Sequence, residues 1–144
     1  MKKRIISALL AVMLMLSATL PCYAVEARAS TYFDGYILGM SAPGNAQMTV
    51  SFSVLGMSKM DQIGAYYIRI EEEYATDKWA KTFTVYGSSD PNKFYSYNAY
   101  DHGGSYTFTG VPGVKYRAVM KSYAKNSNGY EYSDEFTCTG KVCK

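Results

Sequence analysis

Histidine and tryptophan each occur once in the chain, as His102 and Trp79, and cysteine only three times. One histidine and a single cysteine pair beyond the N-terminal region leave too few ligands for a four-coordinate zinc site. The oxygen-bearing residues Asp90, Asn92, Asn98 and Asp101 lack the spacing of an EF-hand calcium loop, so the sequence assigns neither a metal nor a cofactor. Catalytic chemistry is equally poorly provided for. Asp101 and His102 are adjacent, but no motif places a nucleophile beside them, and the expected protein is not an enzyme. The run Glu71-Glu72-Glu73 diverges to opposite faces of a strand and is expected to be a solvated strand end rather than an acid–base pair. Long amphipathic helical patterns, internal repeats and linkers are absent, as are a cell-wall sorting motif and an apolar C-terminal tail.

What is present begins with an export signal. Lys2, Lys3 and Arg4 precede the uncharged, mostly apolar run from Ile5 to Leu20, and Pro21-Cys22-Tyr23-Ala24 follows with a small residue at a cleavage point. Residues 1–24 are expected to be a signal peptide, with Ala29 marking a second possible cleavage site. The apolar run is shorter than the ~20 residues of a spanning helix, so no transmembrane segment is expected once the signal is removed. The chain has fifteen basic and twelve acidic residues; loss of Lys2, Lys3 and Arg4 leaves twelve of each. The basicity therefore belongs to export, and nucleic acid is not an expected partner. Cys22 leaves with the signal. In an exported protein the remaining Cys138 and Cys143 are expected to form a disulfide, contributing about 2 kcal/mol because its loop is short.

The remaining 120 residues have the size of one domain. Residues 25–40 are read as an N-terminal segment with a possible first strand from Thr31 to Met40, and residues 41–144 as the main domain. From Gln47 to Leu55, Met48, Val50, Phe52 and Val54 alternate with Thr49, Ser51 and Ser53, the period of a strand with one dry face. Gly56 to Gly64 reads as a loop. A strand follows from Ala65 to Tyr74, with Tyr66, Ile68 and Ile70 on one side, then another from Trp79 to Tyr86 in which Trp79 is expected to be a core anchor. Tyr106 and Phe108 alternate with Thr107 and Thr109 before the Gly110-Val111-Pro112-Gly113 turn. Beyond it, Tyr116, Ala118, Met120 and Ser122 share a face. Asn126-Ser-Asn-Gly129 is a hairpin turn leading into a last strand from Tyr130 to Cys138.

The segment Val111-Pro112-Gly113-Val114-Lys115-Tyr116 resembles the turn-then-tyrosine pattern of fibronectin type III domains. About seven strands with turn signals every ten or so residues, from Ser41 to Thr137, are similar to that family and to the immunoglobulin-like sandwich. The resemblance implies an all-β, single antiparallel β-sandwich, with Tyr116 closing a tyrosine corner by a hydroxyl bond to upstream backbone. Two departures stand out: Phe52 sits where strand B usually carries tryptophan, and the Phe94–Gly104 stretch is longer and more aromatic than the pattern. The whole chain also resembles small secreted proteins of Gram-positive bacteria.

Phe94 to Gly104, FYSYNAYDHGG, sets Tyr95, Tyr97 and Tyr100 among polar residues. Tyrosine brings contact area and a hydroxyl at low entropic cost, which makes these three the candidate ligand-binding residues. Packing of the rings on one sheet face is the alternative. The functional expectation is a secreted, non-enzymatic binding module at or near the cell surface, with a glycan or a protein as ligand. A structural envelope domain, with Lys115 or Lys121 in a covalent crosslink, and a small secreted hydrolase using Asp101 and His102 are the other classes.

Overall fold

The computed structural model describes residues 30–144, so the expected signal peptide and both cleavage sites lie outside the described residues. Within them the chain is all-β and antiparallel. Its strands are β1 (Phe33–Gly44), β2 (Gln47–Ala75), β3 (Lys78–Tyr86), β4 (Tyr95–Thr109), β5 (Lys115–Asn126), β6 (Gly129–Tyr132), β7 (Phe136–Thr137) and β8 (Lys141–Val142). A 3-10 turn at Gly87–Ser89 and one helical turn, α1 (Pro91–Phe94), link β3 to β4. No helix among the described residues is long and apolar enough to cross a membrane.

The architecture follows from β2, which is 29 residues long. Its first half pairs with β1 (Met40↔Val50) and with β4 (Met48↔Phe108), its second half with β3 (Ile70↔Phe83) and β5 (Glu72↔Tyr116). Straight, such a strand would span roughly 95 Å, several times the ~13 Å radius of gyration of a domain of about 100 residues. It bends instead, and the sheet curls. The ring of Phe108, register partner of Met48, lies 5.3 Å from that of Phe83 and 5.6 Å from that of Tyr116, so the two ends of β2 face each other. Met48, Val50, Phe52 and Val54 from the first half, Ile68 and Ile70 from the second, and Ala118 and Met120 from the neighbouring β5 are all buried in the core between them.

The expected loop from Gly56 to Gly64 is therefore corrected: it is the bent middle of one continuous strand. The ladder with β4 breaks between Leu55 and Met60, and this break makes the corner. Met60 and Ile63 fill the core beneath it, at 1% and 0% exposure. The polar, glycine-bearing composition read as a loop is that of a strand interrupted where it turns. Likewise Gly103 and Gly104 pair with Ser53 and Phe52 inside β4.

Two turns match their sequence signals. Gly113 has φ +86° and the Val114 N–H donates to the Val111 carbonyl at 3.0 Å. Gly129 has φ +139° at the β5–β6 hairpin, where the Asn128 N–H donates to Asn126 Oδ1 at 2.9 Å. The Tyr116 ring is buried, and its hydroxyl accepts the Val111 N–H at 3.1 Å, fastening the start of β5 to the turn before it.

The expected disulfide is not formed. Both thiols are buried and free. The Cys138 N–H donates to the Ala118 carbonyl and the Cys143 N–H to that of Val114, so the two cysteines lie opposite positions four residues apart, one on β5 and one just before it. Four strand residues span about 13 Å, well beyond the ~7 Å limit between the α-carbons of a disulfide. Cys138 Sγ instead accepts the Ala118 N–H at 3.3 Å, and burial pushes its thiol pKa up.

Gly64, where β2 is flanked by β4 and β5 together, tests this account. A β-carbon there would lie 1.9 Å from the Phe94 carbonyl oxygen. Gly64→Ala is expected to destabilise the protein by about 3 kcal/mol or more in urea unfolding followed by circular dichroism. A loss under about 1 kcal/mol would show that α1 is free to move aside and that the close approach is not a constraint.

Candidate functional site

At Gly64 the register sets a row across four strands: Tyr95 on β4, Gly64 on β2, Tyr123 on β5 and Tyr132 on β6. Tyr95 and Tyr123 stand two strand spacings apart, about 9.5 Å. With no side chain between them, their rings lean over the glycine to 6.2 Å. A bulge adds the next ring. Ala65 pairs with Ser122 and Tyr67 with Lys121, leaving Tyr66 as the extra residue. The bulge re-aims Tyr66 away from Ile68 and Ile70, the core residues it was expected to accompany, and onto the tyrosine face. There its ring meets that of Tyr132 edge-on at 4.7 Å. Tyr132 in turn lies 5.1 Å from Tyr123.

These residues wall a concavity of about 290 Å³ lined by Tyr66, Tyr95, Tyr97, Tyr123 and Tyr132, with Gln62, Ser88 and Pro91 completing the rim. The aromatic network continues outward through Tyr86 beside Tyr66 and Tyr130 beside Tyr123. Of the three tyrosines singled out from sequence, Tyr95 and Tyr97 enter this concavity and Tyr100 does not. Tyr95 is 8% exposed and forms its floor, Tyr97 is 58% exposed at its edge, and Tyr100 is 64% exposed elsewhere on β4. Sequence reasoning missed Tyr66, Tyr123 and Tyr132. Their only signal was the Asn-Gly hairpin, which sets Tyr123 opposite Tyr132 once the turn register is known.

Burial raises the Tyr95 phenol to about 12, and the neighbouring Tyr132, Tyr66, Tyr123 and Tyr97 oppose its ionisation further. Burial also raises Tyr123 and Tyr132, again with help from adjacent phenols. The concavity thus disfavours negative charge. A second cavity, about 470 Å³, adjoins it through Tyr132 and is lined by Ser30, Thr31, Tyr36, Glu131, Ser133 and Asp134. There burial, followed by the carboxylates of Glu131 and Asp134, lifts Tyr36 to about 12.

His102 is used structurally. It is 7% exposed, its Nδ1 lies 2.9 Å from Ser96 Oγ and its Nε2 2.9 Å from the Lys93 carbonyl. The carbonyl can only accept, so Nε2 donates to it, while Nδ1 pairs with the Ser96 hydroxyl. Asp101 points to the other face of β4 and is exposed, so the adjacent pair makes no dyad. Among the described residues no three His, Cys, Asp or Glu side chains gather as a metal site.

Trp79 also departs from expectation. It is half-buried outside the core, with the Arg117 guanidinium 4.4 Å and the Lys115 ammonium 5.4 Å from its ring. Arg117 reaches it as part of an ion lattice. Glu71, expected to be solvated, is 8% exposed and takes Arg69 and Arg117, each at 2.8 Å. Arg69 continues bidentately to Glu135 at 2.7 and 2.9 Å, and the Tyr67 hydroxyl also donates to Glu135. Burial alone would raise the Glu71 carboxyl, but hydrogen bonds from Arg117 and Arg69 outweigh it and hold the carboxyl low. Arg69, followed by Tyr67, draws Glu135 down to about 2. No family model matches the chain, and no curated protein matches its sequence.

Two titrations follow. Carboxyls lowered by folding stabilise the native state above their unfolded value of 4.5, and that stability disappears as pH falls toward about 2. Urea midpoints are expected to be flat near neutrality and to decline across that acid window, with a shallower decline in Glu135→Gln; identical slopes would remove the lattice from the stability account. Phenols raised by folding act at the opposite end. Their stabilisation is full below pH 10 and is lost as pH rises toward about 12. Ultraviolet titration of tyrosinate should show a late component that shrinks in Tyr95→Phe, and an unaltered curve would place Tyr95 in water.

Proposed function

We propose that this protein is a secreted, non-enzymatic binding module that holds a glycan or protein ligand at or near the cell surface. In this reading the curled antiparallel sheet serves as a sandwich-type framework of the immunoglobulin or fibronectin type III kind. The observation that carries the proposal is the convergence of Tyr66, Tyr95, Tyr97, Tyr123 and Tyr132 on one concavity. Four of these five residues come from strands of one sheet whose register is fixed by backbone pairing, and Tyr66 from a bulge in the same sheet. The rings are therefore held in place before a ligand arrives, and little side-chain entropy is lost on binding. Tyr97 and Tyr132, at 58% and 40% exposure, supply the accessible ring area. Exposed tyrosines beside buried ones, at the rim of a hollow, are the arrangement of a recognition surface with a few strong contacts.

The test is binding of the purified protein to a glycan array and to cell-envelope polysaccharide and surface-protein preparations, beside a Tyr97→Ala/Tyr132→Ala variant. Both positions are exposed enough that the variant should keep the wild-type circular dichroism spectrum. Wild-type binding weakened roughly tenfold to a hundredfold in the folded variant is the expected result. Equal binding by the two proteins would move recognition to another surface.

A further inference from the structure

We propose that the tyrosine concavity takes a methylated ammonium group of the choline type; this rests on the binding-module reading and names its ligand class. The first observation is the shape of the wall. Tyr66 and Tyr132 are inclined at 66°, Tyr123 and Tyr132 at 46°, and Tyr95 and Tyr123 at 76°, so the rings that line the concavity are set at angles around it, as a box requires, rather than stacked. Aromatic faces carry negative charge density, and a compact cation enclosed by several of them is attracted to each in turn.

The second observation is what lines the box besides tyrosine. Gln62, Ser88 and Pro91 bring no charge, so the walls hold no carboxylate to pair an N–H donor. A primary ammonium or a guanidinium entering would lose water from its N–H groups without replacing all of those bonds. A methylated ammonium has no N–H to satisfy and presents methyl groups to the rings, so its desolvation is far less costly. An extended sugar, by contrast, requires several placed donors and acceptors, and beyond the phenols the lining offers only an amide and a hydroxyl.

The third observation is the charge around the opening. Through Tyr132 the box adjoins the cavity of Glu131 and Asp134, and among the described residues neither carboxylate takes part in an ion pair. Both oppose ionisation of Tyr36 in that cavity, which marks a negative field beside the box. Tyr132 already accepts one cation, the Lys121 ammonium, 5.8 Å from its ring centroid.

Choline and its uncharged tert-butyl isostere, in which carbon replaces the nitrogen, would be titrated into the protein by calorimetry, with pure phosphatidylcholine vesicles as a third arm. Choline is expected to bind roughly tenfold or more tightly than the isostere, and Tyr66→Leu/Tyr132→Leu to abolish that preference. Should that variant unfold, Tyr66→Phe/Tyr132→Phe keeps the ring faces and must retain the preference; its loss there would overturn the proposal in favour of the hydroxyls. Sedimentation with vesicles would identify the group as a lipid headgroup, and choline binding without vesicle binding would identify a free or polymer-borne one. Equal affinity for choline and the isostere would overturn the cation proposal. So would the absence of both while a glycan or a surface protein is still bound through Tyr97 and Tyr132, an outcome that leaves the binding module standing. No binding in any assay would remove both readings.

Discussion

A strand too long to stay straight governs this molecule. Backbone pairing holds β2 together over 29 residues, while burial of its apolar alternation requires that its two ends share one core. Neither demand yields. The ladder breaks between Leu55 and Met60 and shifts again around Tyr66, and between these irregularities the strand turns. Everything else is placed by that compromise. β1 and β4 attach to one half, β3 and β5 to the other, and Phe108, Phe83 and Tyr116 close the gap with edge-on rings.

The candidate site is a by-product of the same bend. Close to the turn, Gln62, Ile63 and Gly64 have β4 on one side of β2 and β5 on the other, and Gly64 is the one of the three without a side chain. A glycine there lets the backbone of Phe94 approach on one side and lets Tyr95 and Tyr123 lean together over the strand. The bulge that relieves the strand turns Tyr66 outward to complete the wall. Fold and concavity thus depend on the same few residues, and the opposite end of the sheet is tied down separately, by the Glu71 lattice and the Trp79 clamp.

Much of the fold was legible in the residues. Strict alternation from Met48 to Val54 and from Tyr116 to Ser122 identified buried faces, because a side-chain period of two is a local property of a strand. Pro112-Gly113 and Asn128-Gly129 announced their turns for the same reason. What stayed hidden was nonlocal. A bulge shifts parity without altering composition, so Tyr66 was placed on the wrong face and Gly56–Gly64 was taken out of the sheet. The site was half legible: aromatic density drew attention to Tyr95 and Tyr97, but Tyr66, Tyr123 and Tyr132 join them only through register. Trp79 misled because its type suggests a core, whereas the cations that cover it, Lys115 and Arg117, are contributed by another strand.

The pairing of β2 also governs how the chain reaches this state. Met48 meets Phe108 and Glu72 meets Tyr116, so β2 finds partners on β4 and β5 only after dozens of intervening residues have been made. Pairings of such sequence separation require large loops to close before any contact rewards them, and domains dominated by them fold in milliseconds to seconds. Throughout that interval the Met48–Val54 segment, alternating and uncharged, can pair only with β1 and leaves its other edge open to other chains. A protein organised around one central strand is therefore most exposed to aggregation while that strand is waiting for its neighbours.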